Sequence, residues 1–154
     1  MHPHETLLRR LFDRLAARDP AGVVRCYHAE VFFTNPLFPR VRGAEAAAFW
    51  AMVFEELEDL QVTLSEVAAD DDGGHASWRA RYSFGRDRRR VVTMTGRSLF
   101  AFREGLVCRH YDHFSYWRWA ASAFGPAGAA LGWFGPFRWA VRQALARRFE
   151  RFRA

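Results

Sequence analysis

Hydrophobic side chains recur at helical spacing near the start of the chain. In HETLLRRLFDRLAARD the apolar residues lie three and four positions apart, so they share one helix face and leave Arg and Asp on the other. That face comprises Leu7, Leu8, Leu11, Phe12 and Leu15. Asp19 before Pro20 is typical of a helix N-cap followed by the first helical residue, and predicts a short second helix. The segment AEAAAFWAMVFEEL predicts a third helix.

The pattern then changes to strict alternation of apolar and polar residues. A first strand is already indicated by EVFFTN, and four later segments have the period of two that predicts strands: LQVTLSEVA, HASWRARYSF, RRVVTMTGRSLFAF and LVCRHYDHFSYW. The turn sequences DDDGG, GRDR and EG separate these four. Helices followed by a meander of strands predict an α+β fold, in which three N-terminal helices pack on one face of a curved antiparallel sheet.

Alternation also assigns side chains to the two faces of this sheet. In the second long strand, one face carries Trp78, Ala80, Tyr82 and Phe84, and the other carries His75, Ser77, Arg79, Arg81 and Ser83. In the last strand, Cys108, His110, Asp112 and Phe114 share a face. Polar groups are therefore mixed with aromatic groups on a sheet covered by helices, which indicates a cavity rather than a uniformly apolar core.

Composition narrows the function classes. The 154 residues suffice for one domain, and 16% of them are aromatic, which supplies side chains for a cavity or an interface. Every positive side chain is an arginine, so chemistry through a lysine imine is excluded, including that of pyridoxal phosphate enzymes. Cys26 and Cys108 show no metal or redox spacing, and no secretory signal is visible, so we expect a reducing, cytoplasmic setting.

The net charge of +6 is concentrated at the end of the chain. The segment from Pro136 to Ala154 holds six arginines and one glutamate and predicts a basic amphipathic helix. Its apolar stripe comprises Phe137, Val141, Ala144, Leu145, Phe149 and Phe152. We therefore divide the chain into a domain over residues 1–117 and a second part over residues 118–154, which combines an aromatic segment rich in Gly and Pro with this helix.

Three interpretations of the basic helix remain open. It docks on the domain with a solvated charged face, or it lies on the inner membrane surface with Trp133, Phe134 and Trp139 as interfacial anchors. Nucleic acid is the least favoured partner, because the sheet lacks the aromatic signature of RNA-recognition strands. The uncharged run from Trp119 to Phe137 raises the question of a membrane span, but prolines and glycines interrupt it.

The stretch FFTNPLFPRVRG holds a polar pair at the end of an aromatic strand. Pro36 forces the residue before it into an extended conformation, so Asn35 is a restrained side chain at the strand end. Asp112 is equally unusual, since aspartate is disfavoured inside a strand. Asp112 either has a functional role facing a pocket or forms a structural ion pair with Arg79 or Arg81. His110, two residues away on the same face, is either its acid and base partner or a core histidine.

The order of elements resembles the nuclear transport factor 2-like superfamily, and specifically its SnoaL-like branch, over roughly Glu5 to Trp117. The most specific segments are YHAEVFFTNPLFPRVRG and EGLVCRHYDHFSYW. This branch includes polyketide cyclases, ketosteroid isomerases and limonene epoxide hydrolases. The resemblance implies a cone-shaped barrel with a pocket at its open end, and a homodimer paired through the outer sheet face.

The resemblance also implies roles for individual residues. Asn35 stands where ketosteroid isomerases have their proton-shuttling aspartate and where limonene epoxide hydrolases have an asparagine that holds the attacking water. By the same comparison, Asp112 corresponds to the base that activates water and Arg79 to the arginine that orients it. The hydrolase's second carboxylate is replaced by Arg81, and its water-binding tyrosine by Phe33. His110 is the substitute for the missing acid.

These observations lead to two hypotheses. The first is a SnoaL-like enzyme that acts on a small apolar molecule by proton transfer or water addition, without a cofactor or a metal. Its catalytic set is Asp112, Arg79, Asn35 and His110, and its pocket is lined by Phe33, Arg81, Phe114, Phe38 and Trp50. The second is a non-catalytic module of the same fold that binds a ligand, a partner protein or a membrane surface. Fold alone decides neither, because this superfold hosts many activities.

Overall fold

The computed structural model describes residues 1–38, 40–85, 87 and 90–153. Helices and strands follow in the order α1 (Pro3–Ala16), α2 (Pro20–Arg25), β1 (Tyr27–Thr34), β2 (Val41–Arg42), α3 (Glu45–Glu56), β3 (Gln61–Ala69), β4 (Gly74–Phe84), β5 (Arg90–Arg103), β6 (Leu106–His113), α4 (Tyr116–Phe124), α5 (Pro126–Leu131) and α6 (Gly135–Arg153). The predicted α+β class, the three N-terminal helices and the C-terminal helix are confirmed.

The six strands form one curved, unclosed sheet with the order β2-β1-β6-β5-β4-β3. Strands β3 to β6 pair as the predicted antiparallel meander, but β1 pairs with β6 in parallel, with Phe33 opposite His110. The expectation of a wholly antiparallel sheet is therefore wrong. No hairpin joins β1 to β6, since one helix and four strands separate them in sequence, so no short turn fixes their relative direction.

Local chemistry explains where the N-terminal helices begin and which faces they bury. Asp19 caps α2 as predicted, because its Oδ1 accepts a hydrogen bond from the Gly22 amide at 2.9 Å and Pro20 occupies the first helical position. All five residues of the predicted α1 face are buried. Together with the buried α3 residues Phe49, Trp50 and Phe54, they cover the concave face of the sheet.

The segment after β6 forms two short helices that the sequence pattern did not predict. Ser115 caps α4 through a hydrogen bond from the Arg118 amide, and Gly125, at a φ of 66°, ends it. Trp119 on α4 is 1% exposed and donates from Nε1 to the Tyr82 hydroxyl at 2.7 Å. The boundary drawn at residue 117 thus lies inside a helix that packs against the sheet.

Helix α6 docks on the domain. Its Phe149 is buried against Phe38 and Phe49, with ring centroids 6.2 and 5.9 Å away. The guanidinium of Arg142 donates to the Pro36 carbonyl at 2.9 Å, and Arg148 pairs with Glu56 on α3 at 2.9 Å. Of the predicted stripe, Phe137, Val141, Phe149 and Phe152 pack against the core, whereas Ala144 is exposed. Among the described helices, none is both long enough and apolar enough to cross a bilayer.

The buried Tyr82 predicts a loss of stability in alkali. Burial raises the pKa of Tyr82 to about 12, whereas the unfolded side chain ionises near its ordinary value of 10.0. Above pH 10 the unfolded chain therefore binds fewer protons than the folded one, so the free energy of unfolding falls by up to about 2–3 kcal/mol between pH ~10 and ~12. Urea denaturation should show a smaller decrease in this interval for Tyr82→Phe. Tyr111→Phe, on the opposite sheet face, is the control, and equal alkaline losses in both variants would contradict this assignment.

Candidate functional site

A cavity of about 140 Å³ lies between the helices and the concave face of the sheet. Its walls are mostly apolar and include four of the side chains expected to line a pocket: Phe33, Phe38, Trp50 and Phe114. Four polar residues also reach it: Asn35, Ser98, His110 and Asp112. A mainly apolar space with a few convergent polar groups is the usual form of a small-molecule site.

Strand β6 places His110 and Asp112 on the cavity side because they alternate with Arg109 and Tyr111, which face outward. The parallel partner β1 brings Phe33 against the imidazole, with ring centroids 4.7 Å apart. The side chains of His110 and Asp112 are only 2% and 12% exposed. Both groups therefore sit in a largely dry environment where their hydrogen bonds matter most.

Two side chains hold one oxygen of the Asp112 carboxylate. The Ser98 hydroxyl, on the neighbouring strand β5, donates a short hydrogen bond to Oδ1 and accepts one from the Trp78 indole N–H at 2.8 Å. His110 Nε2 lies 2.8 Å from the same oxygen. No described residue donates to the other oxygen, Oδ2. The carboxylate is thus fixed in orientation with one oxygen available to a ligand.

The hydrogen-bond chain continues from His110 to Tyr27 and Trp50. The Tyr27 hydroxyl lies 2.8 Å from His110 Nδ1 and accepts from the Trp50 indole N–H at 3.1 Å. Burial raises the pKa of Tyr27 well above its ordinary value, and the charge of Asp112 adds to this, so the phenol keeps its proton. Since Trp50 can only donate, the Tyr27 proton goes to Nδ1, and a neutral His110 donates its Nε2 proton to Asp112.

This arrangement defines the chemistry open to each residue. Asp112 can accept and return a proton through Oδ2. His110 lies beside it as expected, but both of its ring nitrogens are engaged, so it positions the carboxylate and stabilises its charge. The expectation that His110 replaces the missing acid of the hydrolases is therefore wrong, because its Nε2 proton is already donated to Asp112.

Asn35 lines the cavity but serves the turn that follows it. Its Oδ1 accepts hydrogen bonds from the backbone amides of Leu37 and Phe38 at 2.8 and 2.7 Å. The backbone N–H of Asn35 donates to the Phe38 carbonyl at 3.1 Å. Because the side-chain oxygen is folded back on the turn backbone, the predicted catalytic placement of Asn35 beside Asp112 is corrected. An Asx side chain that folds back on the next two residues is a turn element, and here Pro36 fixes its backbone.

Replacement of Asn35 by leucine should lower stability and leave ligand binding intact. Loss of the oxygen that accepts from two amides costs about 1 kcal/mol of the free energy of unfolding, measured by urea denaturation. Asn35→Asp keeps an acceptor oxygen at the same position and serves as the matched control, with stability near that of the wild type. A leucine variant of unchanged stability that has lost binding would restore the functional role.

Arg79 and Arg81 do not reach the cavity. Both are exposed and alternate along β4 with the buried residues Trp78, Ala80 and Tyr82. Arg79 instead lines an open groove on the outer face of the sheet. Its assignment as the orienting partner of Asp112 and that of Arg81 as a pocket residue are wrong, because successive strand residues point to opposite faces.

The sequence pattern does not single out Tyr27, Ser98 and Trp78 as partners of the site. Alternation along β4 does place Trp78 on the correct face. Ser98 is 0% exposed, in phase with Phe100 along β5, and a lone serine on an otherwise apolar face was a detectable signal. Tyr27 lies at the start of β1, and nothing local in the sequence indicates that it meets His110.

A second group of polar residues lies at the start of α1. His2, His4 and Asp71 each present a potential metal-ligand atom, and these atoms lie within 4.8 Å of one another. His2 caps α1 and contacts Asp71 at 2.9 Å, whereas His4 stacks on Phe102 and bonds the Asp70 carbonyl. These contacts tie the helix to the turn between β3 and β4.

Comparison with known proteins places this geometry in a wider context. The SnoaL-like domain family matches residues 8–110, about two thirds of the chain. No curated protein matches the sequence.

Several solved structures share the fold. A protein of ketosteroid isomerase-like fold from Catenulispora acidiphila DSM 44928, solved with trimethylamine, has 13% identity and a TM-score of 0.69, covering 79% of this chain and 94% of that one. A protein from Jannaschia sp. CCS1, named for the SnoaL-like polyketide cyclases, has 18% identity, a TM-score of 0.67 and coverages of 79% and 91%. An NTF2-like protein of unknown function from Burkholderia pseudomallei K96243 has 16% identity, a TM-score of 0.65 and coverages of 74% and 92%. At these identities the likeness establishes the fold.

Proposed function

Because the chain belongs to the SnoaL-like domain family, we propose that its cavity binds a small apolar molecule and that Asp112 transfers a proton on it without a cofactor. One observation carries the proposal. Within an apolar cavity, Asp112 has one oxygen held by Ser98 and His110, and no described residue donates to the other. An oriented carboxylate in a dry site is suited to act as a general base.

The reaction that fits best is proton transfer at a carbon next to a carbonyl. Asp112 Oδ2 takes the proton from that carbon, and the C–H bonding electrons move to the carbonyl oxygen to give an enolate. In a ketone with a neighbouring C=C bond, the protonated Asp112 returns the proton to the far carbon of that double bond, which completes an isomerisation. In a substrate with a second carbonyl, the enolate carbon attacks that carbonyl and closes a ring, and the protonated Asp112 gives its proton to the resulting alkoxide. Each sequence balances with a single side chain as both base and acid.

Water addition is the less favoured branch of the same hypothesis. An epoxide hydrolase of the expected type needs an acid separate from the base, and polar groups that hold the attacking water. The side-chain oxygen of Asn35 is bound to its turn, Arg79 lies on the outer face, and His110 donates to Asp112. The polar groups that remain on the cavity wall support one proton acceptor and its positioning partners.

The surrounding space limits the substrate. The inner cavity of about 140 Å³ holds a single small ring, since an apolar cavity of ~150 Å³ accommodates benzene. A cleft of about 450 Å³ lies between α3, α6 and the end of β4 and shares five walls with it. These walls are Leu37, Phe38, Val53, Leu57 and Tyr82. We expect the reacting part in the cavity and a larger remainder in this cleft.

The second candidate function is ligand binding without turnover. It is favoured by the positions of Asn35 and Arg79, two of the four residues expected to act, which lie outside the Asp112 network. In this case the same cavity selects an apolar molecule by shape, and the Asp112 network only keeps the buried carboxylate satisfied.

Isotope exchange separates the two functions. The full-length protein is incubated in deuterated buffer with cyclopentanone, cyclohexanone or indanone, and deuterium uptake next to the carbonyl is followed by proton NMR. Proton transfer predicts uptake of deuterium by at least one ketone faster than in buffer alone. Ligand-observed NMR that shows saturable binding of a ketone without accelerated exchange would support the binding module and overturn the catalytic proposal.

A further inference from the structure

Five large apolar side chains lie exposed along the last three helices. We call this set the aromatic patch; it comprises Trp117, Leu131, Trp133, Phe134 and Trp139, which are 45%, 42%, 71%, 47% and 64% exposed. Trp133 and Phe134 lie against each other at the junction of α5 and α6, with ring centroids 6.4 Å apart. Large exposed apolar groups concentrated in one segment mark an interaction surface.

The same segment carries the charge of the whole chain. Residues 116–153 contain seven arginines and one glutamate, a net +6, which equals the net charge of the full sequence. The remaining residues are neutral in sum. Arg142, Arg148 and Arg153 are used to dock α6 on Pro36, Glu56 and Glu45.

The outward face of α6 retains free cations. Arg147 and Arg151 are exposed, and neither pairs with a carboxylate of the described residues. Because α6 docks through Phe137, Val141, Phe149 and Phe152, these arginines lie on the side of the helix that faces away from the domain. The exposed surface therefore combines aromatic rings at one end with unpaired positive charge along the helix.

We propose that this surface binds an anionic lipid bilayer as a peripheral contact. Trp, Phe and Leu side chains are stabilised at the boundary of headgroups and acyl chains, and arginines are attracted to acidic headgroups. A second copy of the chain fits less well, because a symmetric contact through this surface would bring two segments of net +6 together. The phosphates of a nucleic acid would attract the arginines, but a nucleic acid, unlike a bilayer, has no apolar interior that would accommodate Leu131.

Vesicle flotation of the full-length protein tests this assignment. One set of vesicles is phosphatidylcholine mixed with phosphatidylglycerol, and the other is phosphatidylcholine alone. We expect binding to the mixed vesicles only, weakened by added salt because the attraction is screened. The triple variant Trp133→Ser, Phe134→Ser, Trp139→Ser and the double variant Arg147→Gln, Arg151→Gln should each lower binding by about tenfold or more.

Matched substitutions elsewhere separate a specific surface from general stickiness. Val91→Ser with Leu99→Ser removes exposed apolar side chains from the sheet, and Arg79→Gln with Arg81→Gln removes two exposed arginines from its outer face. Both controls should bind like the wild type. The proposal is overturned if mixed vesicles are not bound even at low salt, or if controls and patch variants lose binding equally. It is also overturned if the patch variants abolish a dimer seen by light scattering, or binding to an oligonucleotide, while vesicles remain unbound.

Discussion

Replacement of Trp119 by alanine is expected to lower the free energy of unfolding by about 3–5 kcal/mol, the usual cost of removing a buried tryptophan. Its side chain is 1% exposed and contacts the rings of Phe84, Tyr116 and Phe124. Its Nε1 donates to the Tyr82 hydroxyl, which would be left buried without that donor. The loss should appear as a lower urea midpoint with an unchanged denaturant slope.

The neighbouring Trp117 provides the matched control. It has the same side chain on the same helix but is 45% exposed and donates from its indole N–H to the Ala129 carbonyl at 2.9 Å, so Trp117→Ala should cost about 1 kcal/mol, well below the loss in Trp119→Ala. Equal small losses in the two variants would show that α4 contributes little to the domain. The domain over residues 1–117 would then be stable without residues 118–154.

Helices with a clear apolar face could be predicted from the sequence, because burial alone determines their pattern. The face of α1 and the cap at Asp19 are examples. Helix α4 was not predicted because the alternating pattern LVCRHYDHFSYW extends the last strand into its first turn, whereas β6 ends at His113 and Ser115 caps the helix. The direction of β1 relative to β6 could not be predicted, because these paired strands are remote in sequence.

The partner of Asp112 depends on a bulge that alternation cannot reveal. Arg103 pairs with Leu106 and Phe102 with Val107 on either side of the turn, and this register, if continued, would set Ser98 opposite Tyr111. The irregularity between Ala101 and Phe102 shifts the register by one residue, so Ser98 meets Asp112 instead. The face of Asp112 was therefore predictable, but its hydrogen-bond donor was not.

The family correspondence and the alternation along β4 disagree on Arg79. Resemblance predicts Arg79 beside Asp112, whereas the period of two places it on the face opposite Trp78 and Tyr82. Asn35 was correctly identified as restrained, but the sequence does not show whether a restrained amide points into a cavity or back to its turn. That choice depends on the Leu37 and Phe38 amides, which need an acceptor.

Replacement of Asp112 by asparagine should lower isotope exchange by about 10²–10⁴-fold, the range that a positioned base contributes. The amide oxygen can still accept from Ser98 and His110, so the hydrogen-bond chain and the fold are expected to persist. An amide cannot take up the proton at neutral pH, however, so only the transfer step is lost. Ligand-observed NMR should show the ketone still bound.

The role of Asp112 is tested by the rate of deuterium uptake by one ketone, measured for the wild type, Asp112→Asn and Arg79→Gln. Arg79→Gln is the informative control, because resemblance alone makes it part of the site and the structure places it on the opposite face of the sheet. We expect Arg79→Gln to exchange at the wild-type rate and Asp112→Asn to fall to the rate in buffer. Unchanged exchange in Asp112→Asn, or a comparable loss in Arg79→Gln, would contradict the assignment of proton transfer to Asp112.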